Sequence, residues 1–316
     1  MPDTAGCSLR GLAYSLGTLV PVLELRGAGI AEGELDSVLS WGMRTCAVSR
    51  ADEAQLARES IQRTLQRCRV APQELQAVIY ATSYLDEAQF YAVHQVLADL
   101  EICKATPIAV SLGGCSNIAA ALRVARSLIV SQECESVLVV SVERCRVESR
   151  VLREGACVLS DAAASTIVGP AGQGDYDLQG LCLRADNGLA ARRPSDGDAS
   201  AWTLNMMAGF RATIRDLCRT TGYAPRSYAR FVTNNYSESV LRPLVSLCGF
   251  TSDQAYFDNI GRIGHAFSAD VLINLRDLED QGQISTTGPL LLASTSNGAW
   301  SAITLRATPT PHPKDR

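Results

Sequence analysis

Apolar residues follow two rhythms along this chain. Short, nearly unbroken apolar runs at 75–81, 137–142 and 164–168, with a shorter one at 108–111, predict strands covered on both faces. Between them, 52–68, 91–100 and 116–131 carry apolar residues near helical spacing. The second half repeats the theme. Residues 176–184, 230–233, 290–294 and 301–306 read as strands, and 202–221, 237–248 and 270–278 as helices. Such alternation predicts an α/β layered fold with a largely buried sheet. Glycine, proline and glutamine cluster at 169–176 (GPAGQGDY), which divides the chain into halves 1–170 and 171–306. The proline-rich, polar stretch 307–316 reads as a disordered tail.

Composition narrows the class. Of 316 residues, 47% are hydrophobic and 20% charged, the balance of a globular protein and not of a disordered one. The net charge of −4 is spread in mixed signs, so charge predicts neither a nucleic-acid nor a membrane partner. The 11 cysteines are scattered singly with no C-x-x-C, so no zinc cluster or other metal site is expected. The N-terminus has no apolar signal region and no run is long enough to cross a bilayer. These features predict a cytoplasmic protein with reduced, mostly buried thiols.

One cysteine stands apart. In SLGGCSNIAAAL, 111–122, a short strand ends, two glycines follow, then Cys115, then a helix apolar on nearly every side. Gly113 and Gly114 permit a sharp turn beside the thiol. At a helix N-terminus, unpaired N–H groups and the dipole favour a thiolate and can hold an oxyanion. The other reading of any single cysteine is a small buried hydrophobe.

This segment resembles the nucleophile elbow of the ketoacyl-ACP synthase III family of the thiolase superfamily. Other segments fall in the same order. Trp41, Arg44 and Thr45 resemble an early Trp…Arg-Thr element, one residue shorter here. Residues 75–83 resemble an apolar strand ending in Ala-Thr, SDAAASTIV (160–168) a glycine-rich strand with its glycines replaced, and STSNGAW (294–300) a C-terminal glycine loop. The resemblance implies a thiolase-like, five-layered αβαβα fold made of two similar halves, and a homodimer.

Three histidines occur: His94, His265 and His312. His312 lies in the tail, and His94 in a helical stretch where a structural role fits. Condensing members of the family pair a His in one loop with an Asn in a later one, to hold the thioester oxygen while a malonyl unit loses carbon dioxide. The first of those loops here is FVTNNYSES, 231–239, with Asn234 at the His position. In the second, Gly264-His265-Ala266 puts a histidine where the Asn belongs. A paired oxyanion hole is thereby lost and a base beside Cys115 gained. Asp270 is the natural group to orient that base. The Cys–His–Asp set resembles the branch that transfers acyl groups to sugars or loads unusual starter units in antibiotic pathways.

The implied cycle loads Cys115 from a thioester, with Cys115 and Gly298 N–H groups holding the oxyanion, and passes the acyl group to a hydroxyl or amine through His265. Asn234 is a further candidate for the tunnel wall, and Met206, Met207 and Phe210 for its lining. No cofactor is permanently bound. The donor is acyl-CoA or an acyl carried on phosphopantetheine by an acyl carrier protein. Arg44 and Trp41 are the candidate donor contacts, with Arg150 or Arg153 as a second arginine. Decarboxylative condensation and a non-catalytic partner subunit are the competing readings.

Overall fold

The computed structural model describes residues 6–153, 156–192 and 199–308. Residues 309–316 of the expected tail lie outside them, whereas Ala307 ends a strand and pairs with Tyr176, so the tail does not begin at 307.

The first half supplies strands β1 (Cys7–Leu16), β2 (Ala77–Ala81), β3 (Thr106–Val110), β4 (Val137–Glu143) and β5 (Ala162–Pro170). The second supplies β6 (Tyr176–Ala185), β7 (Arg230–Thr233), β8 (Leu290–Ser296) and β9 (Ala299–Ala307). All nine join one sheet in the order β7-β8-β9-β6-β1-β5-β4-β2-β3. In the first half β1, β5 and β4 pair antiparallel in turn, and β2 and β3 then add in parallel. In the second, β6, β9 and β8 pair antiparallel in turn, and β7 adds in parallel. The halves therefore share one topology and meet where their first strands, β1 and β6, pair antiparallel.

Strand periodicity builds the layers. On β4, Val137 and Val139 face one side while Leu138, Val140 and Val142 face the other. On β8, Leu290 and Leu292 oppose Leu291 and Ala293. The inner faces of both halves enclose two helices, α3 (Asn117–Val130) and α6 (Asp270–Asp280), through Ile118, Leu122 and Ala125 of one and Val271, Ile273 and Leu275 of the other. The outer face of the first half is covered by α1 (Glu53–Cys68), with α2 (Glu87–Asp99) beside it. The outer face of the second is covered by α4 (Ala199–Thr221) and α5 (Glu238–Leu247). The stack is α-β-α-β-α, the five layers expected.

β1 was not visible as an apolar run because Ser8, Arg10, Gly11 and Ser15 interrupt it. Ser8 and Ser15 are nonetheless buried, their hydroxyls donating to the carbonyls of Pro170 and Leu56.

On α4, Gly209 lies flat against the Trp300 indole, where a Cβ would overlap the ring. Trp300 is buried and its Nε1 donates to Met206 O at 2.9 Å, so the ring cannot retreat freely. Gly209→Ala should gain about 1 kcal/mol of helix propensity but lose about 1–3 kcal/mol to overpacking. Urea unfolding is expected to show a net loss of stability.

Candidate active site

The elbow is built from strain and one side chain. After β3, Leu112 takes φ +73° and Gly114 φ +51°, turning the chain into a 3-10 turn at Gly114–Ser116 that runs on into α3. A Cβ on Gly114 would collide with the Ser296 hydroxyl, so the position requires glycine. Asn117 clamps the turn, its Oδ1 accepting Gly113 N–H at 2.8 Å and its Nδ2 donating to Thr82 O at 3.2 Å. Cys115 emerges 6% exposed. Burial pushes Cys7 and Cys46 up to about 11 and Cys248 up to about 12, which leaves those thiols protonated and inert.

His265 arrives from the other half. Its backbone bonds to Val158 O and Ser160 N–H, both at 2.8 Å, so a segment of the first half holds the histidine loop in place. A 3-10 turn at Phe267–Ala269 then leads into α6. The two central helices occupy equivalent places in the two halves, so their N-termini converge and bring the cysteine and histidine together.

His265 Nε2 lies 3.3 Å from Cys115 Sγ, and Nδ1 lies 2.5 Å from Asp270 Oδ2. His265 and Asp270 are fully buried. Asp270 also accepts Asn235 N–H at 2.8 Å, Ala266 N–H at 2.7 Å and Asn235 Nδ2 at 3.2 Å. Burial alone would lower the His265 pKa. The charges on Asp270 and Cys115, and the hydrogen bonds to both, outweigh it and raise the value to about 10. The imidazole is therefore protonated at neutral pH in the resting cluster.

Behind Asp270 a polar chain crosses the core. Asn274 Nδ2 donates to Asn235 Oδ1, and Asn259 Nδ2 to Asn274 Oδ1, each at 2.8 Å; Asn259 Nδ2 also reaches Asp277 Oδ2 at 2.7 Å. Arg262 and the Tyr14 hydroxyl close the far end on Asp277. Residues 270, 274 and 277 stack on one face of α6. That spacing is legible in DVLINLRDLED and could have exposed the network. Tyr236, also missed from sequence, has its hydroxyl 3.9 Å from Cys115 Sγ and its ring centroid 4.9 Å from that of His265. Glu143, at the inner end of β4, accepts Ser83 N–H and Oγ–H at 2.8 and 2.9 Å, and burial pushes its pKa up to about 8.

Three expectations need correction or refinement. Gly298 does not aim its N–H at the cysteine, because that N–H is directed at Met206 Sδ, 3.4 Å away. Asn234 is buried, but its Nδ2 donates to Phe267 O at 3.2 Å and its Oδ1 accepts Thr295 N–H at 2.9 Å, so backbone groups hold the amide. Arg150 is not free for a donor phosphate, since it forks onto Asp161 at 3.0 and 2.8 Å, and Arg153 pairs with Glu34. Arg44 lies exposed with its guanidinium on Leu39 O at 3.2 Å, and Trp41 packs half-buried nearby. Neither is bonded to the Cys–His–Asp cluster. Met206, Met207 and Phe210 pack in the outer core of the second half. Among the described residues no helix is long and apolar enough to cross a membrane.

Two family models match the sequence. 3-Oxoacyl-[acyl-carrier-protein] synthase III covers 112–187, including Cys115, and the C-terminal region of 3-oxoacyl-[acyl-carrier-protein] synthase III covers 218–307, including His265 and Asp270. Together they span more than half of the chain. A search of curated proteins found no relative that matches. Among solved structures, the acyltransferase ChlB3 is similar with a TM-score of 0.83 at 14% identity, covering 97% of this chain and 99% of its own. The 3-oxoacyl-(acyl carrier protein) synthase III of Pseudomonas aeruginosa PAO1 gives 0.81 at 18% identity, over 96% and 100%. That of Aquifex aeolicus VF5 gives 0.80 at 16%, over 95% and 100%. The chain is a ketoacyl-ACP synthase III-like member of the thiolase superfamily. It belongs among enzymes that transfer or condense acyl groups.

The raised His265 pKa has two measurable consequences. Only three histidines exist, so its ring protons can be followed by NMR. Asp270→Asn should lower the His265 pKa from about 10 by about 1–3 pH units. The folded chain holds this proton more tightly than the unfolded chain, whose histidines titrate near ~6.5. The stability it contributes is complete below about pH 6.5 and is lost as pH climbs through about 10. The unfolding free-energy gap between wild type and His265→Gln should therefore narrow from pH 6 to pH 10, measured by urea titration.

Proposed function

We propose that the protein is a non-decarboxylating acyltransferase. It takes an acyl group from acyl-CoA or a carrier-protein thioester onto Cys115 and delivers it to a hydroxyl or amine. The observation that carries this reading is the buried line Cys115 Sγ–His265–Asp270, at 3.3 and 2.5 Å.

The charge states close a cycle. In the resting cluster the imidazolium faces Cys115 Sγ, 3.3 Å away. The thiolate attacks the donor carbonyl, and N–H groups at the start of α3, Cys115 among them, hold the oxyanion. The C–S bond to the carrier breaks, and the departing thiolate takes the proton from His265. Cys115 is now a neutral thioester, so the negative charge that helped raise the His265 pKa is gone. The neutral imidazole can then remove the proton of an acceptor O–H or N–H as its heteroatom attacks the acyl carbon. Collapse of that intermediate expels Cys115 as thiolate and restores the imidazolium. Asp270 keeps Nδ1–H engaged, so that Nε2 is the nitrogen that exchanges protons.

Condensation would need a second donor beside the thioester to stabilise an enolate. Asn234, at the position of the family histidine, has its N–H₂ committed to Phe267 O and its oxygen to Thr295 N–H. That geometry favours transfer over decarboxylation.

Intact-protein mass spectrometry with a panel of acyl-CoA and carrier-bound donors tests the reading. Wild type should gain an acyl adduct on Cys115 without releasing carbon dioxide from a malonyl donor. Cys115→Ala should gain none. His265→Ala should load yet transfer about 10²–10⁴-fold more slowly. Normal turnover by His265→Ala would remove the base assignment, carbon dioxide release with a ketone product would favour condensation, and no adduct with any donor would favour a partner-subunit role.

The edge of the sheet supports a two-fold dimer. β3 is the outermost strand on its side, its side chains lie largely open, and Leu112 just beyond it is 100% exposed. An unpaired, uncharged edge of this kind is ready to pair with another copy. Leu112→Asp should shift sedimentation from dimer toward monomer.

A further inference from the structure

Besides His265, Tyr236 is the polar side chain that reaches the sulfur among the described residues, and the cycle above leaves it without a task. It stands three residues beyond β7, 8% exposed, its ring tilted 57° to the imidazole of His265. Its hydroxyl donates to Thr295 O at 2.9 Å and lies 3.9 Å from Cys115 Sγ. Burial, reinforced by the charges of Cys115 and Cys157, holds the phenol pKa well above its usual value, so it remains a proton donor wherever the enzyme works. The Gly298 N–H, meanwhile, is directed at Met206.

A carbonyl oxygen joined through one carbon to Sγ can be turned to within hydrogen-bonding reach of the Tyr236 hydroxyl, which lies 3.9 Å from that sulfur. We propose that Tyr236 is the side-chain donor of the oxyanion hole: its O–H turns from the Thr295 carbonyl to the oxyanion that forms on the acyl carbon at Cys115. This rests on the acyl-Cys115 reading above and adds to it a catalytic residue. No bond is made or broken by the phenol; its proton stays on oxygen throughout.

The energetics favour the switch only when charge develops. In the ground state a neutral thioester oxygen offers the phenol no better acceptor than the Thr295 carbonyl. In the tetrahedral intermediate the oxygen is an anion, and a charge-assisted hydrogen bond is roughly twice as strong as a neutral one. An interaction gained only on the way to the transition state raises the rate without tightening substrate binding. The motion is one O–H torsion, because the ring is held by the imidazole and its surroundings. The donor is thus oriented in advance, which is what makes such holes effective in water-excluded sites.

Tyr236→Phe keeps the ring and removes only the hydroxyl, and two reagents separate its possible roles. p-Nitrophenyl acetate acylates a thiolate through a tetrahedral oxyanion, and the nitrophenolate burst reads that step. Iodoacetamide alkylates the same thiolate by displacement, with no oxyanion. The expected result is a burst slowed about 10²–10³-fold with an unchanged alkylation rate. A burst as fast as wild type would overturn the proposal. So would a parallel loss of alkylation, which would mean that Tyr236 acts on the thiol or the fold, and so would a wild type that alkylates but gives no burst. The transfer reading fails separately, if His265→Ala passes its acyl group to an acceptor alcohol at the wild-type rate, and that outcome leaves the Tyr236 comparison intact.

Discussion

The imidazolium of His265 is a charge with no access to water, and the centre of the molecule is organised around that fact. An isolated buried charge is costly enough that the group would ordinarily give up its proton. Here Asp270 lies against one ring nitrogen and Cys115 Sγ against the other. Asp270 in turn needs its own partners, and Asn235 and the Ala266 N–H supply them. Asn235 is then fixed by Asn274, Asn274 by Asn259, and Asn259 bonds Asp277, which meets Arg262 near the surface. Each polar group in this chain is tolerable in the core because the next one satisfies it.

The same cluster draws its members from both halves of the fold. Neither half alone holds both Cys115 and His265. The cysteine sits at the N-terminus of α3 and the histidine just ahead of α6, and these helices are equivalents under the approximate two-fold relating β1–β5 to β6–β9. Pairing β1 with β6 sets the halves side by side. The backbone bonds of His265 to Val158 and Ser160 then carry the second half's loop onto the first half's framework. Small residues on α3, Ala119, Ala121 and Ala125, let the two central helices and both inner sheet faces share one continuous core.

Local and non-local signals divided cleanly along the chain. Cys115 was legible because a strand, two glycines and an apolar helix form a contiguous pattern with a mechanical meaning. His265 and Asp270 were legible through their position in the motif order and their short spacing. The runs at β4 and β8 were legible because a strand covered on both faces must be apolar throughout. β1 was not, since its buried serines are satisfied by carbonyls far away in sequence, at Pro170 and Leu56. The neighbours Asn234 and Asn235 differ only in which way each side chain faces. One is held by Phe267 O and Thr295 N–H and the other supports Asp270, a distinction set by partners from distant segments. Arg150 was a candidate donor contact by sequence, but a short hairpin that pairs Val151 with Val158 folds Asp161 back onto its guanidinium, a contact that spacing alone does not reveal.

By itself the sequence determined the alternation of elements and the layered class, and it singled out Cys115 at its strand-to-helix elbow, because each depends on periodicity or on residues adjacent in the chain. Tertiary structure alone decided which polar groups meet. It set the 3.3 Å approach of imidazole to sulfur, turned the Gly298 N–H toward Met206, and brought Tyr236 to the thiol. Those outcomes depend on directions of side chains and N–H bonds contributed by segments 92 to 150 residues apart, on loops whose local pattern is silent about orientation. Hydrogen bonds weaken steeply with angle and distance. Composition and spacing can therefore nominate the participants, while only the packed core fixes the geometry that gives them chemistry.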